Sequence, residues 1–277
     1  MAFDLKVFHS PDSDDAFMFY AISEGKVRDP RLTVSCELED IQSLNEKALK
    51  GEVDCTAVSF HAYAYCFRDY HILPQGASFG DGYGPRLISK RPVGIKDLAG
   101  RKVAIPGRLT SAALAFRMLG TGAVEVEVPF DRIMETVASG AADAGLLIHE
   151  GQLTFGSEGF YLVLDLGAWW MEKTGLPLPL GCNIIRKGLD HYILDNFPRL
   201  FRESIEYSLG NRLEALEYAK RFGRGLDDAQ ADRFVSMYVN EWTRGYGEKG
   251  RKAVREFLGE AFSAGLIPQE VDVSFLG

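Results

Sequence analysis

GLLIHEGQLT, residues 145–154, sets a short apolar run before a lone histidine, His149, followed by Glu150 and Gly151. A short apolar run bounded in this way reads as a buried strand of a parallel sheet. In open α/β sheets, ligands collect at the carboxyl ends of strands. His149 is therefore expected at a ligand site, and imidazole is the side chain suited to moving a proton near neutral pH. Read alone, the same histidine equally fits a plain hydrogen-bonding role at a strand end.

Outward from this stretch, strand and helix patterns alternate. Residues 5–9, 32–38, 53–58, 85–89, 102–105, 124–128, 161–166 and 180–186 read as strands. Helical spacing marks 14–23, 41–49 (with Gly51 as a stop), 59–67, a helix from about Thr110, and 131–139. From Asp190 onward the pattern is helical, with four apolar stripes around Leu200, Leu216, Phe234 and Phe257. Such alternation predicts α/β layers. A middle block with its own βα units, entered near Lys90-Arg91-Pro92, predicts two lobes. The larger would be discontinuous, 1–91 plus 184–277, and the smaller would be 92–183. A cleft between lobes is a favoured place for a small ligand.

Composition narrows the function. The 277 residues are 46% apolar and 25% charged, an ordinary globular balance. A formal charge of −8 argues against a nucleic-acid surface. No run of about 18 apolar residues suggests a membrane span. The N-terminal MAFDLKVFHSPDSDD enters a strand pattern without a basic or apolar leader, so a cytoplasmic protein is expected. Cys36, Cys55, Cys66 and Cys182 match no zinc spacing and read as reduced, packed thiols. His9, His61, His71, His149 and His191 show no ligand spacing, so no metal is expected. P-loop, GxGxxG, HExxH and GxSxG motifs are absent, which leaves nucleotide cofactors and the common hydrolase designs unsupported.

Four segments carry polar groups at strand ends. In Ser10-Pro11-Asp12-Ser13-Asp14-Asp15, Ser10 or Asp15 could meet a ligand hydroxyl, while Asp12 or Ser13 could simply cap the helix. Ser59 stands before His61 and an aromatic helix, as a cap or a ligand donor. Thr110 and Ser111 open a helix after a glycine turn, a natural seat for a carboxylate. Trp169 and Trp170 could wall a flat substrate, although packing explains at least one of them.

Several phrases together resemble the 1,4-dihydroxy-6-naphthoate synthase family of menaquinone biosynthesis. They are Ser10-Pro11 with Asp15-Ala16-Phe17, LEDIQSLNEKAL at 38–49, VSFHAYAY at 58–65, GYGPRLIS at 82–89 and VAIPGRLTSA at 103–112. FDRIMETVASGAADAGLLIHEGQLTF at 130–155 and DLGAWWMEKTGLPLPLG at 165–181 are the longest. The likeness runs from about residue 5 to about residue 265. It implies a two-lobed, periplasmic-binding-protein-like fold and a lyase without cofactor. The lyase would convert cyclic dehypoxanthinyl futalosine to the naphthoate and a three-carbon fragment, with His149 as general base. Ser10, Asp15, Ser59, Thr110 and Ser111 match positions that would bind this small-molecule substrate. A homodimer is left open. Asp12, Ser13, Asp14, His61 and Arg86 depart from the family pattern, which puts the substrate's charge preference in question. The competing reading is a solute-binding or sensor protein for a small organic acid on the same fold. It gives His149 no special role and would require export or an anchor.

Overall fold

The computed structural model describes residues 2–222 and 227–276. The chain begins with β1 (Phe3–His9), α1 (Ser13–Ser23), β2 (Leu32–Leu38), α2 (Ile41–Lys50) and β3 (Cys55–Ser59). Local chemistry explains these boundaries. Asp40 caps α2 by accepting the N–H groups of Gln42 and Ser43, each at 3.1 Å. Gly51 ends it at φ 67°, a conformation that costs glycine little. β2 buries Leu32 and half-buries Val34 and Cys36 on one side, with exposed residues between, as befits a strand at a sheet edge.

Next come α3 (Phe60–Cys66) and the three-residue strands β4 (Tyr70–Ile72) and β5 (Ser78–Gly80). The middle of the chain holds β6 (Arg86–Ser89), β7 (Lys102–Ile105), α4 (Ser111–Met118), β8 (Val124–Glu127), α5 (Ile133–Ala138), β9 (Ala144–Leu147), α6 (Gly151–Thr154) and β10 (Tyr161–Asp165). α7 (Leu166–Thr174) leads back to β11 (Leu178–Arg186). The helices α8 (His191–Gly210), α9 (Arg212–Lys220), α10 (Asp228–Tyr238), α11 (Glu241–Arg244) and α12 (Gly247–Ser263) follow.

The strands form two mixed sheets. The first runs β2-β1-β3-β11-β4, with β5 also on β11. Its β1 pairs in parallel with β2 and β3, whereas β11 is antiparallel to β3, β4 and β5. The second runs β10-β6-β9-β7-β8. β6 pairs with β9 and β10, so it lies in the second sheet, and the chain crosses between sheets before Arg86 rather than at Lys90-Arg91-Pro92. The local pattern of 85–89 identifies a strand but not its partner. β9 is parallel to β7 and wholly buried, and it ends two residues before His149.

One core fills the space between α1, α8 and the first sheet; in it His9, Phe19 and Phe201 stack in series at 4.6 and 4.4 Å. Another is continuous across both sheets, joining Phe8 and Ile184 to Leu87, Val103 and Ile105. The two inter-sheet passages touch backbone to backbone. Leu166 N–H donates to the Pro85 carbonyl at 2.9 Å, and a Cβ on Gly84 would stand 3.0 Å from Gly167 Cα. Among the described residues no helix is long and apolar enough to cross a membrane.

Candidate active site

A cavity of about 110 Å³ lies where the carboxyl ends of strands from both sheets meet. The first sheet presents Ser10, Asp15, Ser59 and Asn183. The second presents Thr110, Ser111 and Ile148, and Phe234 and Tyr238 of α10 close one side. Five of the six residues expected at a site thus line one cavity, and His149 is the exception.

The turn before α1 is ordered by its own acids. Ser10 N–H donates to Asp15 Oδ2 at 2.9 Å, and Ser10 Oγ donates to Asp12 Oδ2 at 3.1 Å. Asp12 occupies the cap position, yet its side chain makes no capping bond there. The acids therefore do more than finish a helix: Asp12, Asp14 and Asp15 all line the cavity, and no lysine or arginine does so among the described residues. Burial, then the charges of Asp15, Asp12 and Glu150, hold the Asp14 carboxyl well above its usual range. Burial also raises Asp15, against the bonds from Ser10.

A carboxyl whose folded-state pKa lies above its unfolded one destabilises the fold when ionised. That cost is absent below the unfolded value near 3.8 and grows as pH rises above it. Asp14→Asn should accordingly melt at a higher temperature than the parent at pH 8. The gap should close as pH falls toward 4, as thermal unfolding across pH would show; equal melting points at pH 8 would contradict the electrostatics described here.

Opposite the acids, Thr110 Oγ1 donates to the Gly107 carbonyl (2.8 Å) and accepts Ala113 N–H (3.2 Å), capping α4. Ser111 Oγ is likewise committed: it donates to the Leu180 carbonyl at 2.6 Å and accepts His61 N–H at 3.3 Å. What α4 offers a ligand is its backbone. The first-turn N–H groups of Ser111 and Ala112 have no intrahelical acceptor, and the positive end of the helix dipole adds to them. Ser59 is held by Asn45, whose Oδ1 accepts Ser59 N–H (2.9 Å) and whose Nδ2 donates to Ser59 Oγ (3.3 Å). Asn45 escaped the sequence reading because it lies on α2 and meets Ser59 only after folding.

His149 lies beside the cavity, its side chain 12% exposed, and its neighbour Ile148 faces the lumen. Nε2 is 2.8 Å from the Phe130 carbonyl, and Gly151 N–H donates to Nδ1 at 3.1 Å. A carbonyl only accepts and an amide N–H only donates, so this arrangement selects the neutral ring with its proton on Nε2. Gly151 makes room for the ring, since a Cβ there would stand 3.0 Å from Cε1. Glu150 is buried, with Oε2 3.7 Å from Nδ1 and Oε1 3.5 Å from Ser13 Oγ.

Other singled-out residues serve the frame. Arg86 does not line the cavity; its Nη1 donates to the Gln152 carbonyl at 2.7 Å, and Nε lies 3.5 Å from Asp165 Oδ2. It thereby anchors α6, just beyond His149. His61 is buried, and burial and Arg117 pull its pKa down to about 4. Trp170 is buried against Phe257 at 5.5 Å, and neither tryptophan lines the cavity. The four cysteines are free, and burial pushes Cys66 up to about 12. Among the described residues no three His, Cys, Asp or Glu side chains group so as to hold a metal ion.

Two mixed sheets meeting over a shared cavity place the chain in the periplasmic-binding-protein-like fold class. The alkanesulfonate-binding protein SsuA of Xanthomonas axonopodis pv. citri, solved with MOPS, superposes with a TM-score of 0.74. The match covers 98% of this chain and 96% of that one at 13% identity, a likeness of fold alone. Within that class the chain belongs to the menaquinone-biosynthesis family, whose model matches residues 5–263. Relatives named 1,4-dihydroxy-6-naphthoate synthase occur in Thermus thermophilus, 38% identical, and in Streptomyces coelicolor, 35% identical. Each alignment covers 95% of both chains. A crystal structure of an Archaeoglobus fulgidus protein matches at 45% identity and a TM-score of 0.92, covering 95% of this chain and 98% of that one.

Proposed function

We propose that this protein is a cytoplasmic carbon–carbon lyase of the 1,4-dihydroxy-6-naphthoate synthase type. It converts cyclic dehypoxanthinyl futalosine to the naphthoate and a three-carbon fragment, using His149 as general base. The end-to-end match to two relatives of that name carries the reading. The cavity supports it. The substrate's carboxylate is taken by the backbone N–H groups that open α4, and Ser59, fixed by Asn45, offers its hydroxyl proton. The acids at the start of α1 face the sugar-derived hydroxyls.

In the neutral ring the basic lone pair is on Nδ1. A substrate proton taken there displaces the Gly151 N–H, and the new imidazolium finds the Glu150 carboxylate 3.7 Å away. Proton removal drives carbon–carbon cleavage because the product is aromatic. A cavity of about 110 Å³ is below the roughly 300 Å³ of ordinary ligand sites. In this reading the two sheets belong to two lobes that part to admit the substrate. Separation would break the bond from Tyr238 hydroxyl to Gln152 Oε1 (3.0 Å) that spans them.

The deciding experiment mixes purified protein with the cyclic substrate, without added metal or nucleotide, and follows the naphthoate chromophore. Product formation is expected. Tight binding without product would turn the reading into a binding protein, and neither would remove the substrate.

A further inference from the structure

We infer that Asn183 determines specificity by accepting a hydrogen bond from a hydroxyl of the substrate's sugar-derived part, an inference that rests on the lyase reading above. Asn183 sits on β11 opposite Ala57 of β3, and both line the cavity. It is only 1% exposed. Its Nδ2 donates to the Gly76 carbonyl at 2.9 Å, which fixes the orientation of the amide. Its Oδ1 has no hydrogen-bond partner among the described residues. A buried acceptor left unpaired is costly, and native folds rarely keep one without a purpose.

Gly76 guards this arrangement. At φ 77°, a side chain there would be strained, and its Cβ would press within 2.9 Å of Asn183 Nδ2 and closer still to the Phe201 ring. The groups sharing this side of the cavity sharpen the chemistry. Asp14 and Asp15 are carboxyls, and no lysine, arginine or histidine joins them in the lining among the described residues. A ligand group that pairs with Asn183 Oδ1 must bring its own proton. A carboxylate has none to give, whereas a hydroxyl does. The substrate's carboxylate belongs at α4, so the donor is a sugar-derived hydroxyl.

The test measures kcat/KM and binding for the parent substrate and for analogues that each lack one hydroxyl, with wild type and Asn183→Leu. One analogue should lose about 10- to 100-fold in wild type. Asn183→Leu should lose a similar factor on the parent substrate and no longer distinguish that analogue from it, the signature of a coupled pair. Full use of every analogue by wild type would overturn the inference, even if the leucine variant failed to fold. A loss that persists undiminished in folded Asn183→Leu would overturn it too, leaving Oδ1 to a water or to the fold. If wild type makes product while no analogue is discriminated, only this inference falls; if wild type neither binds nor converts the parent, the lyase reading falls with it.

Discussion

Replacing His149 with asparagine should lower kcat by about 10²- to 10⁴-fold, the usual contribution of a positioned base. KM should move only a few-fold, because the contacts proposed to bind the substrate, at the start of α4 and at Ser59, are left in place. The fold should survive, since asparagine can still donate to the Phe130 carbonyl or accept from Gly151 N–H but cannot take up a proton. Steady-state kinetics with a melting curve for each variant would check this. A purely structural histidine predicts the opposite pattern: a lower melting point with kcat nearly intact. Turnover within tenfold of the parent would remove the base assignment, and the buried Glu150 next to it would become the first carboxylate to replace.

Gly167→Ala should be among the most destabilising single-methyl changes in the chain. The added Cβ would fall far inside 3.0 Å of the Tyr83 carbonyl oxygen and carbon and of Gly84 N. All of these are backbone atoms, which cannot swing aside as a long side chain can. Forcing a methyl into a filled space costs about 1–3 kcal/mol, and rigid backbone on the far side favours the upper end. Gly188→Ala is the matched control, because nothing lies within 4 Å of its Cβ position. It should change stability by about 0.5 kcal/mol or less. Urea unfolding of both variants would decide, and equal midpoints would refute the close approach of the two passages.

What the sequence discloses follows the range of the interactions. The α2 boundaries are legible because Asp40, the apolar spacing and Gly51 are all local. The four long C-terminal helices are legible for the same reason. β4 and β5 are three residues each, too short to show a period. The strand at 86–89 is visible in its residues, but its sheet is set by pairing with β9 nearly sixty residues later. The site divides likewise. Ser10, Asp15, Ser59, Thr110 and Ser111 sit at strand and helix ends, where chain geometry alone sends them to one edge. That Thr110 and Ser111 spend their hydroxyls on Gly107 and Leu180 is tertiary information, as is the turning of His149 toward Phe130. Asn45 and Asn183 carry no local mark at all.

β11 has a bearing on how the chain is made. It is the strand on which β3, β4 and β5 all pair, yet 118 residues separate it from the end of β3. On the ribosome, the second sheet has all its strands by Asp165, while the first still lacks β11, the strand that joins β3 to β4 and β5. At cellular synthesis rates the interval from β3 to β11 lasts on the order of ten seconds. Throughout it β3, buried at every residue in the finished fold, presents an open apolar edge of the kind that invites aggregation. All strands of the second sheet are thus translated before the first sheet can be completed, and the edge of β3 waits uncovered for that interval.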